Sequence, residues 1–167
     1  EGGASMVIGH DEVRTLLGDG RLVVNFVEAL EGLGVTEGPF HDWMAISPLD
    51  NEGDEHRRWR TLMNRTFTPG RVKQVRPFLV EEADRLAADL ARRGDVELVA
   101  DFADVLPALG LCELIGVPAA DRAHFTHLAH TVGWGFRPLQ LLEHLDEVDA
   151  ALTDLLAYTG GLLAARR

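Results

Sequence analysis

Apolar residues along the chain recur mostly at spacings of three and four, broken by glycine, proline and short charged runs, and this pattern sets the expected elements. Met6-Val7-Ile8 is a short apolar run expected to form a strand. His10-Asp11-Glu12 then supplies a cap and first-turn acids for a helix carrying Val13, Leu16 and Leu17, stopped by Gly18 and Gly20. Residues 21–53 show no sustained period. Gly32, Gly34, Gly38, Pro39, Pro48 and Gly53 punctuate them, with Phe26, Phe40, Trp43, Met44 and Ile46 scattered between. The expectation is a long loop, a kind of segment that often carries function. Its apolar residues need something to bury against, and a bound ligand is one candidate.

Regular periodicity returns after residue 53. A helix is expected from Asp54 to Phe67, closed by Thr68-Pro69-Gly70, and a second from Pro77, an N1-type proline, to Arg93. The second carries Leu79, Ala83, Leu86 and Leu90 on one stripe. Val96, Leu98 and Val99 alternate loosely, as a short strand would. A third helix is expected over Asp104–Ile115 with Gly116 as its stop, and a fourth from Pro118 to about Val132. Gly133 through Pro138 reads as a break. A fifth helix then aligns Leu141, Leu145, Val148, Leu152 and Leu155 on one face, with Gly160-Gly161 weakening its end and no capping residue at Ala164-Ala165-Arg166-Arg167. The expected fold class is mainly α with minor β, as one portion of a single domain over residues 1–167.

Composition narrows the function. The 167 residues are 46% hydrophobic and 26% charged, the values of a globular chain. The longest apolar run, around Val105–Ile115, contains Pro107, Gly110 and Glu113, far short of the roughly 20 apolar residues of a membrane helix. With no signal-peptide pattern at the start, the expected location is the cytoplasm, with no membrane partner. The formal net charge of −11 argues against nucleic acid as a partner. One cysteine, Cys112, excludes an intramolecular disulfide and a cysteine-based zinc cage. The charge is uneven, however. Arg57, Arg58, Arg60, Arg65, Arg71, Lys73 and Arg76 place seven of the sixteen basic residues within twenty positions.

Within that stretch, His56 and Arg60 stand four apart on one helix, and so share a face. An arginine fork beside a histidine donor suits a carboxylate, since both give charge-assisted hydrogen bonds. Met63 and Phe67 continue the face, which is thus polar at its start and apolar beyond. This would suit a ligand with an acidic edge and an apolar body. A solvated basic helix packed through Met63 and Phe67 is the competing reading. His124, His127 and His130 repeat every three residues, but a carboxylate at ligand spacing is lacking, and a solvated helix face is favoured over a metal site.

The run His56-Arg57-Arg58-Trp59-Arg60-Thr61-Leu62-Met63-Asn64-Arg65-Thr66-Phe67-Thr68-Pro69 resembles the C helix of bacterial haem-thiolate monooxygenases, the cytochrome P450 family, with its H-x-x-x-R and F-T/S-P stop. The order around it resembles the family too. A D-E-V-R-x-L-L helix precedes it, and Leu111-Cys112-Glu113-Leu114-Ile115-Gly116-Val117-Pro118 is similar to the family's C-E-L-L-G-V-P stretch. The resemblance covers nearly the whole chain, from the first strand and B helix through the G helix. It implies an incomplete cytochrome P450 fold, haem as cofactor, a small organic substrate, and a ferredoxin or flavodoxin-type electron donor. By resemblance, His56 and Arg60 bind the haem propionates. Met44, Ile46 and Trp43, with Val132 and Gly133 at the end of the F helix, face substrate. Arg57, Arg58 and Arg65 lie on the redox-partner surface.

Two departures stand out. Relatives often carry D-P-P-x-H before the C helix, where this chain has Glu52-Gly53-Asp54-Glu55-His56, and Asp54 is the expected replacement cap. The family's thiolate loop, F-x-x-G-x-x-x-C-x-G, is not matched around Cys112, where Val105, Ala108 and Leu114 occupy its Phe and Gly positions. Cys112 is therefore read as a small buried hydrophobe and not as the haem thiolate. The oxygen-activating A-G-x-D/E-T is absent from these residues, and no catalytic residue or metal ligand is assigned. The expectation is a part of a monooxygenase that is inactive alone. The alternative is a non-catalytic helical ligand-binding or interaction protein of the same fold.

Overall fold

The computed structural model describes residues 5–166. Eight α-helices follow one another: α1 (His10–Leu16), α2 (Phe26–Gly32), α3 (Pro39–Ala45), α4 (Gly53–Thr66), α5 (Pro69–Arg93), α6 (Val105–Ile115), α7 (Arg122–Gly133) and α8 (Pro138–Ala164). A π-helical turn, Val99–Ala103, precedes α6, and short 3₁₀ turns at Ala119–Asp121 and Trp134–Phe136 flank α7.

The mainly helical architecture agrees with the hydrophobic pattern, but the two short strands do not form. Among the described residues no strand is present. Val7 and Ile8 lie in irregular chain and are exposed, and Val99 opens the π-helical turn. A strand needs a partner for its backbone groups, and the alternation at 96–99 is instead absorbed by a turn. Glu97 accepts from the Val99 and Ala100 N–H groups, and Arg93 holds Asp101 through two bonds of 3.0 Å. The expected loop at 21–53 also contains structure, namely α2 and α3, each of seven residues.

α5 begins eight residues earlier than expected. Thr68 caps it, its hydroxyl accepting from Arg71 N–H, and Pro69 takes the N1 position. Pro77 thus falls inside the helix, where its ring removes one backbone donor. Gly116 ends α6 as expected, at φ +78°, and Val117 N–H bonds back to the Cys112 carbonyl at 2.8 Å. Gly160-Gly161 do not end α8, which runs on to Ala164. Leu162 packs on the Phe125 cluster there, and Arg166 donates to the carbonyls of Ile115 and Gly116, tying the end of α8 to the end of α6.

The core sits where α7 and α8 fold back on each other and receive α2 and α3. Leu30, Val35, Phe40, Met44, Leu128, Val132, Leu141, Val148, Ala151 and Leu152 form one buried cluster. Each Leu, Val, Phe or Met side chain in it contributes about 1.5–3 kcal/mol on burial. A smaller cluster of Cys112, Val117 and Phe125 joins α6 to α7. Polar contacts fix the two short helices on this core. The Asp149 carboxylate of α8 accepts from Phe40 N–H at 2.7 Å, and the Asp50 carboxylate accepts from Phe26 and Val27 N–H. These substitute for local N-caps, which α2 and α3 lack.

Candidate functional site

α4 differs from the other long helices. None of its residues is buried, and it packs on no other helix to a substantial extent. Trp59, Leu62, Met63 and Phe67 are 38–48% exposed, so its apolar side is open. The residue preceding α4 is Glu52, and Gly53 adopts φ +62°, a left-handed conformation that glycine enters without strain. Asp54 does not cap the helix; it lies in the first turn and pairs with Arg57. Glu52 instead reaches back, accepting from Val24 N–H at 2.9 Å.

His56 is half-buried at the start of α4, and its Nδ1 lies 2.9 Å from the Pro48 carbonyl and 3.1 Å from that of Asn51. Carbonyl oxygens only accept, so Nδ1 carries the proton and donates. The ring is thereby oriented by the turn before the helix, and Nε2 is left without a protein partner. The turn is itself stitched: the Asn51 amide donates to the Ala45 and Ser47 carbonyls at 3.2 and 2.7 Å, and buried Ser47 accepts from Leu49 N–H at 3.2 Å. Asn51 and Ser47 are positioning residues that sequence reasoning missed; an Asn three residues beyond a Pro in a turn was the available signal.

One turn along, Arg60 is exposed and has no ion-pair partner among the described residues, whereas Arg57 pairs with Asp54 and Arg58 with Glu55. Arg65 is likewise exposed and without an ion pair there. The available cationic groups on α4 are thus Arg60, beside His56, and Arg65 on another face. An unpaired guanidinium beside an oriented imidazole, followed by Met63 and Phe67, can receive a carboxylate with an apolar body behind it.

The expected substrate-facing residues divide. Met44, fully buried, and Val132 belong to the main core cluster, and Trp43 packs against it, so these three come together. Gly133 ends α7 beside Val132. Ile46 is 68% exposed and stands apart from that cluster. An aromatic group joins the same region: Phe136 lies edge-on to Phe40 and Trp43, at centroid distances of 5.9 and 6.4 Å, and 5.8 Å from Phe26. Cys112 is fully buried, its Sγ 3.9 Å from the Thr126 hydroxyl. His124 and His130 stack edge-on against Tyr158 and Trp134, and no cluster of three or more metal-binding side chains occurs among the described residues. No helix among them is long and apolar enough to cross a membrane.

The helical order, with an unburied α4 that carries His56 and Arg60, is that of an incomplete, mainly α fold. No protein-family model matches it. The chain is 36% identical over 164 residues to a luteothin monooxygenase of Streptomyces thioluteus, covering 98% of this chain and 40% of that protein. It is 33% identical over 169 residues to a mycinamicin IV hydroxylase/epoxidase of Micromonospora griseorubida, covering 98% and 39%. Its fold is similar to that of P450BioI, solved with an acyl carrier protein ligated to hexadec-9Z-enoic acid, with a TM-score of 0.78 at 24% identity over 95% of this chain and 40% of that one. The chain belongs to the bacterial cytochrome P450 family and matches the N-terminal part of its relatives. It spans about 40% of their length.

Proposed function

We propose that this chain forms the haem-gripping and substrate-facing front part of a monooxygenase acting on a small organic substrate. The observation that carries the reading is an Nδ1-anchored His56 on α4 followed one turn later by an Arg60 with no ion-pair partner among the described residues. The residues fit haem. Arg60 offers donors to its propionates, with the Nε2 of His56 one turn before it, and the open side chains of Met63 and Phe67 offer apolar surface to the macrocycle. Haem, when bound, supplies the iron at which dioxygen is reduced so that one oxygen atom passes to the substrate.

The chain's own residues bind and orient. Arg60 would hold a propionate through its planar fork. His56 already spends its Nδ1 proton on the turn before α4, so it donates from Nε2 only as the imidazolium. Trp43 and Gly133, part-exposed over the core that Met44 and Val132 help to fill, would offer an apolar wall toward substrate, with Ile46 at its exposed margin. Arg65, without an ion pair among the described residues, together with Arg57 and Arg58, which share their charge with Asp54 and Glu55, would face an acidic ferredoxin or flavodoxin-type donor, in water and so in a salt-dependent manner.

Residues 1–167 do not supply the thiolate, because Cys112 is wholly enclosed between α6 and α7. The test is the carbon-monoxide difference spectrum of the reduced protein. The intact protein is expected to show the band of thiolate-ligated haem, and residues 1–167 alone are expected to show none. A thiolate band from residues 1–167, or an intact protein that takes up no haem, would overturn the proposal.

A further inference from the structure

His41 carries a buried polar atom that neither the core nor α4 explains. It lies on α3 with a side chain 13% exposed, and its Nε2 is a buried nitrogen without a hydrogen-bond partner. Each ring nitrogen nevertheless faces a carboxylate. Nδ1 is 3.2 Å from Asp42 Oδ1, and Nε2 is 3.5 Å from Glu31 Oε1 at the far end of α2, within ion-pair reach but outside hydrogen-bond geometry. A carboxylate only accepts, and a neutral imidazole has one N–H. With one acceptor at each nitrogen, the neutral ring must turn a lone pair toward an anion, whereas the imidazolium satisfies both sides.

Of the acids on these elements, Glu28 and Glu31 lie on α2, Glu37 in the connecting loop, Asp42 on α3 itself and Asp149 on α8; the two that reach the ring are Glu31 and Asp42. Glu28 accepts from the Asn25 amide and Asp149 from Phe40 N–H, and only Glu31 and Asp42 come within 4 Å of the ring nitrogens among the described residues. α2 has Asp50 at its first residues but a different tie at its end, where Glu31 meets His41.

We propose that His41 is a proton-dependent clasp: as the imidazolium it holds the end of α2 on α3, and on losing its proton it loosens that end. The hydrogen bond to Asp42, with Glu31 adding to it and desolvation opposing, raises the His41 pKa above its ordinary value. The sign follows from that direction. The clasp is complete below the unfolded-state value of about 6.5 and is lost as pH rises through the higher folded-state value. The inference does not depend on haem, since every group in it belongs to α2 or α3.

Hydrogen exchange read by mass spectrometry on the intact protein tests it, with rates corrected for the intrinsic pH dependence of exchange. Protection of the Phe26–Gly32 amides should fall roughly three- to tenfold from pH 6 to pH 9, while that of Arg122–Gly133 stays level. His41→Gln should hold α2 at the low-protection level at every pH. Glu31→Gln, at a side chain 52% exposed and so tolerant of change, should at least halve the fall. Flat α2 protection in the wild type, a full pH response in His41→Gln, or an undiminished one in Glu31→Gln would each overturn the clasp.

Discussion

Gly135→Ala measures how tightly the corner between α7 and α8 is built. Gly135 is buried in the 3₁₀ turn between these helices and has a negative φ, so an alanine meets no backbone penalty there. Its Cβ, however, would lie 2.3 Å from both Cε2 and Cζ of Phe40. That is more than 1 Å inside ordinary contact. Phe40 is fully buried, with Phe136 and Trp43 at centroid distances of 5.9 and 6.0 Å, so its ring has no free direction to move. Overpacking of this kind costs about 1–3 kcal/mol, and the absence of an escape route places Gly135→Ala near 3 kcal/mol. Gly160→Ala in α8 is the control. Nothing lies within 4 Å of its added Cβ, and a glycine inside a helix gives way to alanine with a gain of about 0.5–1 kcal/mol. Urea unfolding followed by tryptophan fluorescence reads both, since Trp43 and Trp134 flank the site. A second substitution sharpens the assignment: Phe40→Leu makes room, so the double variant should be more stable than the sum of the single effects by about 1 kcal/mol or more. Gly135→Ala within about 0.5 kcal/mol of wild type, or strictly additive effects, would refute the steric account.

Two further outcomes follow from the same structure. Asp149→Ala removes the acceptor of Phe40 N–H and should cost about 1–2 kcal/mol, with faster exchange confined to Pro39–Ala45; unchanged exchange there would separate Asp149 from α3. Asp101, bridged by Arg93, has its pKa held below the ordinary carboxylate value by that side-chain bond first and by Glu97 N–H second. Its contribution is therefore present above about pH 3.9 and lost as pH falls through the lower folded-state value. Exchange in the Val99–Ala103 turn should stay level from pH 7 to 5 and rise only in stronger acid, and Arg93→Gln should move that rise to higher pH.

Much of the helical frame is legible in the sequence because its signals are local. The stop at Gly116 and the apolar face of Leu141, Val148 and Leu152 both depend on residues a few positions apart. α2 and α3 escape notice for the opposite reason. Seven-residue helices are too short to show a period or to stand alone, and their N-terminal N–H groups are met by Asp50, 23 and 24 residues away, and by Asp149, 109 away. Thr68-Pro69-Gly70 carries a real punctuation signal, but it closes α4 and opens α5 at once, with Thr68 as the new cap. The short apolar runs at 6–8 and 96–99 have strand composition but no strand beside them. In the site, the identity of His56 is legible; the carbonyls of Pro48 and Asn51 that choose its tautomer are visible only in the folded turn.

If α4 grips a haem by that cofactor's carboxylate edge, haem retention in the intact protein depends on Arg60. Arg60→Ala should weaken haem binding by roughly 1.5–3 kcal/mol, the worth of a charged hydrogen bond, read as faster haem transfer to an acceptor protein. Arg57→Ala, which removes an arginine already paired with Asp54, should leave retention near the wild-type value. Unchanged haem retention in Arg60→Ala, or an equal loss in Arg57→Ala, would contradict the account.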